Sequence, residues 1–289
     1  MLVEFRMREA IKYPLVKKLR YLLQLPKYRD TFIHNSNGAF IVSENCDPDA
    51  IIDRLLASHE YNEMDMGIGL SFSEKFISEF MYAGFYITSD FLNYETLSFD
   101  FDTDKLDFFP LLSIWSIQTV LFFENLHISK SIRRIADRYE LKVNNDFKTT
   151  LNKIIEHHGD IWITPPLKET LISLNEKNYR AKAISFEVYK NGELAAGEVG
   201  IATGKIYTSY SGFHSEPSAG SVQIALMLRY LQDNKYAFCN FGTDESQANN
   251  VYKRRFGCTY IDREDFIELW RKAREKPNEL YSLQERICH

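Results

Sequence analysis

The chain has 289 residues, of which 45% are hydrophobic and 26% charged, and a formal net charge of −5. That length accommodates two domains and a substantial core, and the acidic balance excludes a protein that coats nucleic acid over its whole surface. The opening MLVEFRMREAIKYPLVKKLRYLL disperses charge among its apolar positions, so no signal peptide or membrane span is expected and the expected location is the cytoplasm. Cys46, Cys239, Cys258 and Cys288 lie far apart in the sequence, which predicts reduced thiols, with neither a zinc site nor a disulfide framework.

In chain order, Asp47-Pro48-Asp49 predicts the start of a helix through DAIIDRLLASH. A second helix is predicted in LSFSEKFISEFMYAG, with Ser71 or Ser73 as its cap and Gly84 as its stop. The acidic and aromatic run SDFLNYETLSFDFDTDKLDFFP is expected to end at Pro110, and the domain boundary is placed there, giving domains 1–110 and 111–289. Strand and helix patterns then alternate. His127, between Leu126 and Ile128, reads as a core histidine.

AISFEVYKNGELAAGEVGI alternates in hydrophobicity on either side of Asn191-Gly192, the dipeptide that best supplies positive φ at both centres of a two-residue hairpin. KIYTSYSGFH follows as a third strand, and VQIALMLRYL, apolar almost all round, as a helix buried on most of its surface. YAFCNF is the next strand, and Asp262-Arg263-Glu264-Asp265 opens a last helix whose inward face is Phe266, Leu269, Trp270 and Ala273. The basic clusters at Lys17-Lys18-Arg20, Lys130-Arg133-Arg134 and Lys253 to Lys276 read as solvated helix faces, each able to touch a few phosphates.

Three segments in this order, WSIQTVLFFENLHISKSIRR (115–134), DIWITPPLKETLISL (160–174) and the block 183–242, resemble the leucyl/phenylalanyl-tRNA-protein transferases. The resemblance is carried by Trp115-Ser116, Leu126-His127-Ile128-Ser129-Lys130-Ser131, Trp162-Ile163-Thr164, Glu187-Val188-Tyr189 and Ala196-Gly197, and spans roughly 68–269. It implies an α+β fold, a GNAT-like acyltransferase core behind a smaller N-terminal α/β domain, in agreement with the strand-strand-strand-helix-strand order read from the residues. It also implies transfer of a leucine- or phenylalanine-like amino acid from aminoacyl-tRNA to the N-terminal amine of an acceptor protein, as in N-degron tagging, with no cofactor and no metal. Oligomeric state stays open.

The implied chemistry rests on positioning, because an aminoacyl ester is already activated. In that family an aspartate and a glutamine two residues later orient the amine and hold the ester. Here those positions are Asn240 and Gly242, and an amide accepts no proton at neutral pH. Asp244 is a candidate for the displaced carboxylate, so the implied catalytic residues are Asn240 and Asp244. Tyr210 replaces a family glutamate and Ser221 a lysine, which leaves a catalytically impaired relative that binds an N-terminus or aminoacyl group as the alternative.

Substrate contacts implied by the resemblance are Tyr207, Ile224, Met227, Leu231 and Cys239 as an apolar pocket, with Tyr210 and Gly242 beside it. Trp162 is either a stacking surface for the terminal adenosine or a core residue before Pro165-Pro166. Glu198 stands where the family has methionine, and a carboxylate on that strand contacts a cation, takes up a proton or faces solvent. An acyl-CoA enzyme is the weakest reading, because PSAGS supplies one glycine where a pyrophosphate loop needs more.

Overall fold

The computed structural model describes residues 33–34, 39–57, 64–92, 107–159, 162–243 and 251–276. The first sheet contains β1 (Ile33–His34), β2 (Ala39–Val42), β3 (Met64–Gly69), β4 (Tyr86–Leu92) and β5 (Asp107–Trp115), in the order β1-β2-β3-β5-β4. β2 and β3 run parallel and the other pairs antiparallel. Helix α1 (Pro48–Ala57) starts at the predicted place, where the Asp47 carboxylate accepts the Asp49 amide. Helix α2 (Glu74–Ala83) is capped by Ser73, whose hydroxyl accepts the Phe76 amide, and stops at Gly84 with φ 120°.

Pro110 does not terminate its segment. It lies inside β5 opposite Ser89 of β4, and pairing with β3 begins only at Leu111. The proline therefore sits with one side of its strand still unpaired, where a missing N–H is tolerated.

The chain leaves the first sheet at Trp115, bends at Ser116 and enters the second at Ile117. That sheet contains β6 (Ile117–Phe122), β7 (Glu140–Val143), β8 (Ala181–Lys190), β9 (Glu193–Thr203), β10 (Ile206–His214), β11 (Phe238–Asn240) and β12 (Thr259–Asp262), ordered β12-β6-β11-β10-β9-β8-β7. Its helices are α3 (Lys130–Ala136), α4 (Phe147–His158), α5 (Pro165–Glu176), α6 (Ala219–Asp233), α7 (Val251–Arg255) and α8 (Arg263–Arg274). Asn191 at φ 51° and Gly192 at φ 84° form the predicted hairpin turn, so β8, β9 and β10 are an antiparallel meander. The crossover through α6 then makes β11 parallel to β10. This is an α+β arrangement, with the strand-strand-strand-helix-strand order read from the residues.

One face of the second sheet is covered by α6, which buries Ala225, Met227, Leu228 and Leu231 with Tyr207, Ala202 and Cys239, and Val222 with Val188 and Ala196. The other face packs α4, α5, α2 and α8 into a core that continues into the first sheet, with Leu151, Leu167, Phe80, Phe266 and Trp270 among its members. Each fully buried side chain of this kind contributes about 1.5–3 kcal/mol, so the shared core is what joins the two sheets. The inward face of α8 includes Ile267, while Leu269 is only half-buried, because the helix is turned to bring Arg263 inside. His127 is exposed and not in the core: its main-chain amide donates to the Phe256 carbonyl and its ring is left outside.

A buried ion pair marks the junction of the sheets. Arg263, 6% exposed, places Nη1 at 2.5 Å from the Asp65 carboxylate of β3, and its Nε donates to the Trp115 carbonyl at 3.2 Å. Its main-chain amide also donates to the Ser116 carbonyl at 2.8 Å, which holds the bend between the sheets.

Candidate functional site

A gap opens where β10 and β11 part. The two strands pair only over Ile206–Thr208 and Phe238–Asn240, yet β10 continues beside β9 to His214. Beyond Asn240 the chain follows β6 instead: the Phe241 amide donates to the Thr119 carbonyl at 2.8 Å and the Thr119 amide to the Gly242 carbonyl at 2.7 Å. The edge of β10 from Ser209 onward consequently has no β11 partner, and its register slips between Ser209 and Ser211. Side chains meet this stretch instead of a strand: His158 Nε2 lies 2.8 Å from the Gly212 carbonyl.

Asn240 and Gly242 form one lip of the gap. The Asn240 side-chain oxygen accepts the Gly242 amide at 3.0 Å, and Gly242 is left-handed at φ 70°, a conformation that a side-chain-bearing residue adopts only with strain. Lys253 of α7, 6% exposed, steadies the segment that follows by donating to the Phe241 and Thr243 carbonyls at 3.0 and 3.3 Å. Asp244 lies outside the described residues.

Four rings from both sheets line the same region. Tyr86 of β4 stacks on Tyr210 with centroids 4.5 Å apart, Trp115 lies 5.1 Å from Tyr86, and Trp162 lies 5.6 Å from Tyr210. Tyr210 is buried, and the other three are partly exposed. The Tyr86 hydroxyl donates to the Tyr210 carbonyl at 3.1 Å, so a side chain of the first sheet occupies the unpaired edge of β10. Trp162 is held by β4: its carbonyl accepts the Ser89 amide at 2.9 Å and the Ser89 hydroxyl at 3.0 Å, and the Thr164 amide and hydroxyl both donate to Ser89 Oγ at 2.9 Å. The tryptophan and threonine of the WIT segment thus fix an aromatic surface at the gap, with the ring half-exposed.

Glu198 is on the opposite face of the sheet from Asn240, under α6. It is 4% exposed, so the solvent-facing reading does not hold. The Tyr207 hydroxyl donates to it at 3.3 Å and the Gln223 amide at 3.4 Å, and the Ser209 hydroxyl is near it on the same face. Burial pushes its pKa up to about 7, with these three groups opposing that rise only in part. Tyr207, Met227, Leu231 and Cys239 around it have no exposed surface, and Ile224 is half-buried. Gly200 makes this packing possible, since a Cβ there would stand 2.2 Å from the Tyr207 hydroxyl.

The structure therefore gathers Trp162, Tyr210 and Gly242 with Asn240 around the gap, and places Glu198, Tyr207, Ile224, Met227 and Leu231 behind the sheet under α6. The faces communicate at the gap, where the charge of Glu198 helps burial to raise the Tyr86 hydroxyl. Sequence reasoning did not assign Tyr86, Ser209, Gln223 or Lys253 to the site. Tyr86 and Tyr210 are 124 positions apart, and no local pattern announces that contact. Gln223 did carry a signal: an amide within an otherwise apolar helix needs a partner when buried.

A family model described as leucyl/phenylalanyl-tRNA protein transferase matches residues 120–271, more than half of the chain and both sides of the gap. A leucyl/phenylalanyl-tRNA–protein transferase of Pseudomonas fluorescens (strain SBW25) is 28% identical over 166 residues, which cover 56% of this chain and 70% of that protein. One from Pseudomonas aeruginosa (strain UCBPP-PA14) is 26% identical over 165 residues, covering 55% and 70%. Among solved structures, FemX aligns with a TM-score of 0.41 and 10% identity over 80% of this chain and 81% of that one. The chain belongs to the leucyl/phenylalanyl-tRNA protein transferase family.

Proposed function

We propose that this protein moves an amino acid from aminoacyl-tRNA to the N-terminal amine of an acceptor protein. The observation that carries this reading is the family match over residues 120–271, which takes in β10 and β11, the two strands that part at the gap. The fold also supports it, since Trp162 offers a flat, partly exposed ring on which a terminal base can stack. On α3 and just after it, Lys130, Arg133, Arg134 and Arg138 are exposed and make no ion pair among the described residues, as cations that meet phosphates do.

In finer detail, we infer a donor with a leucine- or phenylalanine-like side chain and an acceptor that the added residue marks for degradation in the cytoplasm. Among the described residues, no helix is long and apolar enough to cross a membrane. Asn240 and Asp244 are the proposed catalytic pair. Trp162, Tyr210 and Gly242 are the proposed substrate contacts at the gap, with Glu198, Tyr207, Ile224, Met227 and Leu231 as the proposed pocket behind it.

The test is transfer of labelled amino acids from total charged tRNA to peptides that differ in their first residue. Label should appear on at least one acceptor, and a double reversal of Arg133 and Arg134 to Glu should weaken donor saturation without unfolding the chain. Peptide binding with no transfer from any donor would overturn the enzymatic reading.

A further inference from the structure

Gln118 lies on β6, one strand from the gap, and its surroundings do not suit an amide. The residue is 2% exposed, and its side-chain oxygen is buried with no hydrogen-bond partner among the described residues. A buried amide oxygen left without a donor costs stability, and nearly all such groups in a folded protein are paired. An apolar residue of similar size would remove that cost, so packing alone favours leucine at this position.

The strand register says what the amide faces. Gln118 and Val120 project to one face of β6, and Val120 pairs directly with Asn240 of β11, so the Gln118 and Asn240 side chains share the face that looks toward the first sheet. Thr119, between them, bonds through its main chain to both Phe241 and Gly242, which brings the Gly242 lip alongside Gln118. Gly242 leaves that approach clear: among the described residues, a Cβ there would meet nothing nearer than Trp115 Cζ3, at 3.8 Å. Trp115, three positions before Gln118 across the bend at Ser116, therefore stands beside the glycine, and Tyr86 packs on Trp115 with centroids 5.1 Å apart. Both rings are partly exposed. The end torsion of a glutamine is soft, so the amide can turn toward a group entering past Gly242 without moving the strand.

An amide oxygen accepts hydrogen bonds, and the faces of tryptophan and tyrosine attract positive charge. That combination fits an ammonium or an amine. We propose that Gln118, with the rings of Trp115 and Tyr86, forms the site that receives a primary amine of the substrates. This assignment rests on the function proposed above, in which two groups of that chemistry occur: the N-terminal amine of the acceptor and the α-amine of the aminoacyl group on the donor. Both are largely protonated near neutral pH. The neutral amide holds either protonation state and, unlike a carboxylate, adds no charge that would keep the proton on the nitrogen.

The experiment measures binding, which does not depend on turnover. The probes are a short peptide with a free or an acetylated N-terminus, and an aminoacyl adenosine with an amide in place of the ester, likewise free or acetylated. The wild type should bind the free form of one probe about 10-fold or more tighter than its acetylated form, the gain of a hydrogen bond to a charged group. The peptide shows that preference if the site takes the acceptor's amine, and the adenosine if it takes the donor's. Gln118→Leu should abolish the preference while its urea midpoint stays at or above that of the wild type, because an unpaired amide has been replaced by an apolar side chain. Gln118→Glu keeps an acceptor oxygen in place and should keep the preference.

A purely structural amide would behave in the opposite way, with a lower midpoint in Gln118→Leu and an unchanged preference. Equal binding of free and acetylated forms by the wild type, a preference that survives in Gln118→Leu, or its loss in a folded Gln118→Glu would each overturn the assignment. Amine-selective binding by the wild type with no transfer from any donor would overturn the function and leave the amine site standing.

Discussion

Glu187 and Glu198 lie on the two strands of one hairpin, at adjacent register positions opposite Gly197 and Phe186, and both are buried. They point to opposite faces of the sheet and are solvated very differently. Glu187 receives the Ser185 hydroxyl at 2.5 Å and the Asn145 and Asp146 amides at 3.1 and 3.2 Å, at the start of α4. Glu198 receives two long contacts, of 3.3 and 3.4 Å, and burial outweighs them. Two main-chain donors and a short hydroxyl bond make a carboxylate part of the scaffold, whereas a buried carboxylate held loosely keeps an affinity for protons.

Asp65 is a third case, buried but neutralised by Arg263. Arg263→Met would remove the cation and leave the Asp65 carboxylate buried with its countercharge gone. Breaking a buried pair from one side costs about 3–5 kcal/mol, the largest effect expected here, read as a lower urea midpoint at constant m value. A midpoint equal to that of the wild type would mean that ion pairing is not what keeps Asp65 inside.

The second comparison is in pH. Glu198 titrates at about 7 in the folded chain against 4.5 in the unfolded one, so the folded chain binds more protons between those values. Stability contributed by this residue is therefore lost as pH rises through the window, by about 3 kcal/mol at pH 8. Glu198→Gln should be more stable than the wild type by about that amount at pH 8 and nearly equal to it at pH 5. Parallel stability curves for the two proteins between pH 5 and pH 8 would mean that Glu198 takes up no proton on folding in that range.

How much of this was legible in the sequence follows from the range of the interactions. The Asn191-Gly192 turn, the Ser73 cap and the Gly84 stop depend on neighbours along the chain, and all three are where the residues predict. The order of the acyltransferase core was equally plain, because hydrophobic periodicity and turn chemistry agree there. Pro110 was misread because its tolerance depends on which neighbouring strand reaches it, and His127 because apolar neighbours do not determine which way a ring points. The site was legible as residue types and not as an arrangement. That Asn240 and Glu198 lie on opposite faces follows from the pairing of Thr208 with Asn240, the pairing of Gly212 with Glu198, and the slip between Ser209 and Ser211 that reverses the alternation between them. Tyr86 enters the gap only because two sheets share a core.

The smallest expected effect is the most discriminating. Glu187→Gln keeps one carbonyl oxygen for the three donors that converge there and turns an NH2 group toward the others, which weakens the start of α4 by about 2 kcal/mol. Thermal unfolding should register that loss, and transfer kinetics at a temperature well below the midpoint should not, because Glu187 faces away from α6 and touches none of the groups at the gap. The matched change at Glu198 should do the reverse, slowing transfer while leaving the protein as stable or more so. Two isosteric substitutions eleven positions apart on one hairpin would then separate stability from chemistry. If both slow transfer alike, the hairpin acts as a single mechanical unit and the difference in carboxylate solvation has no functional meaning.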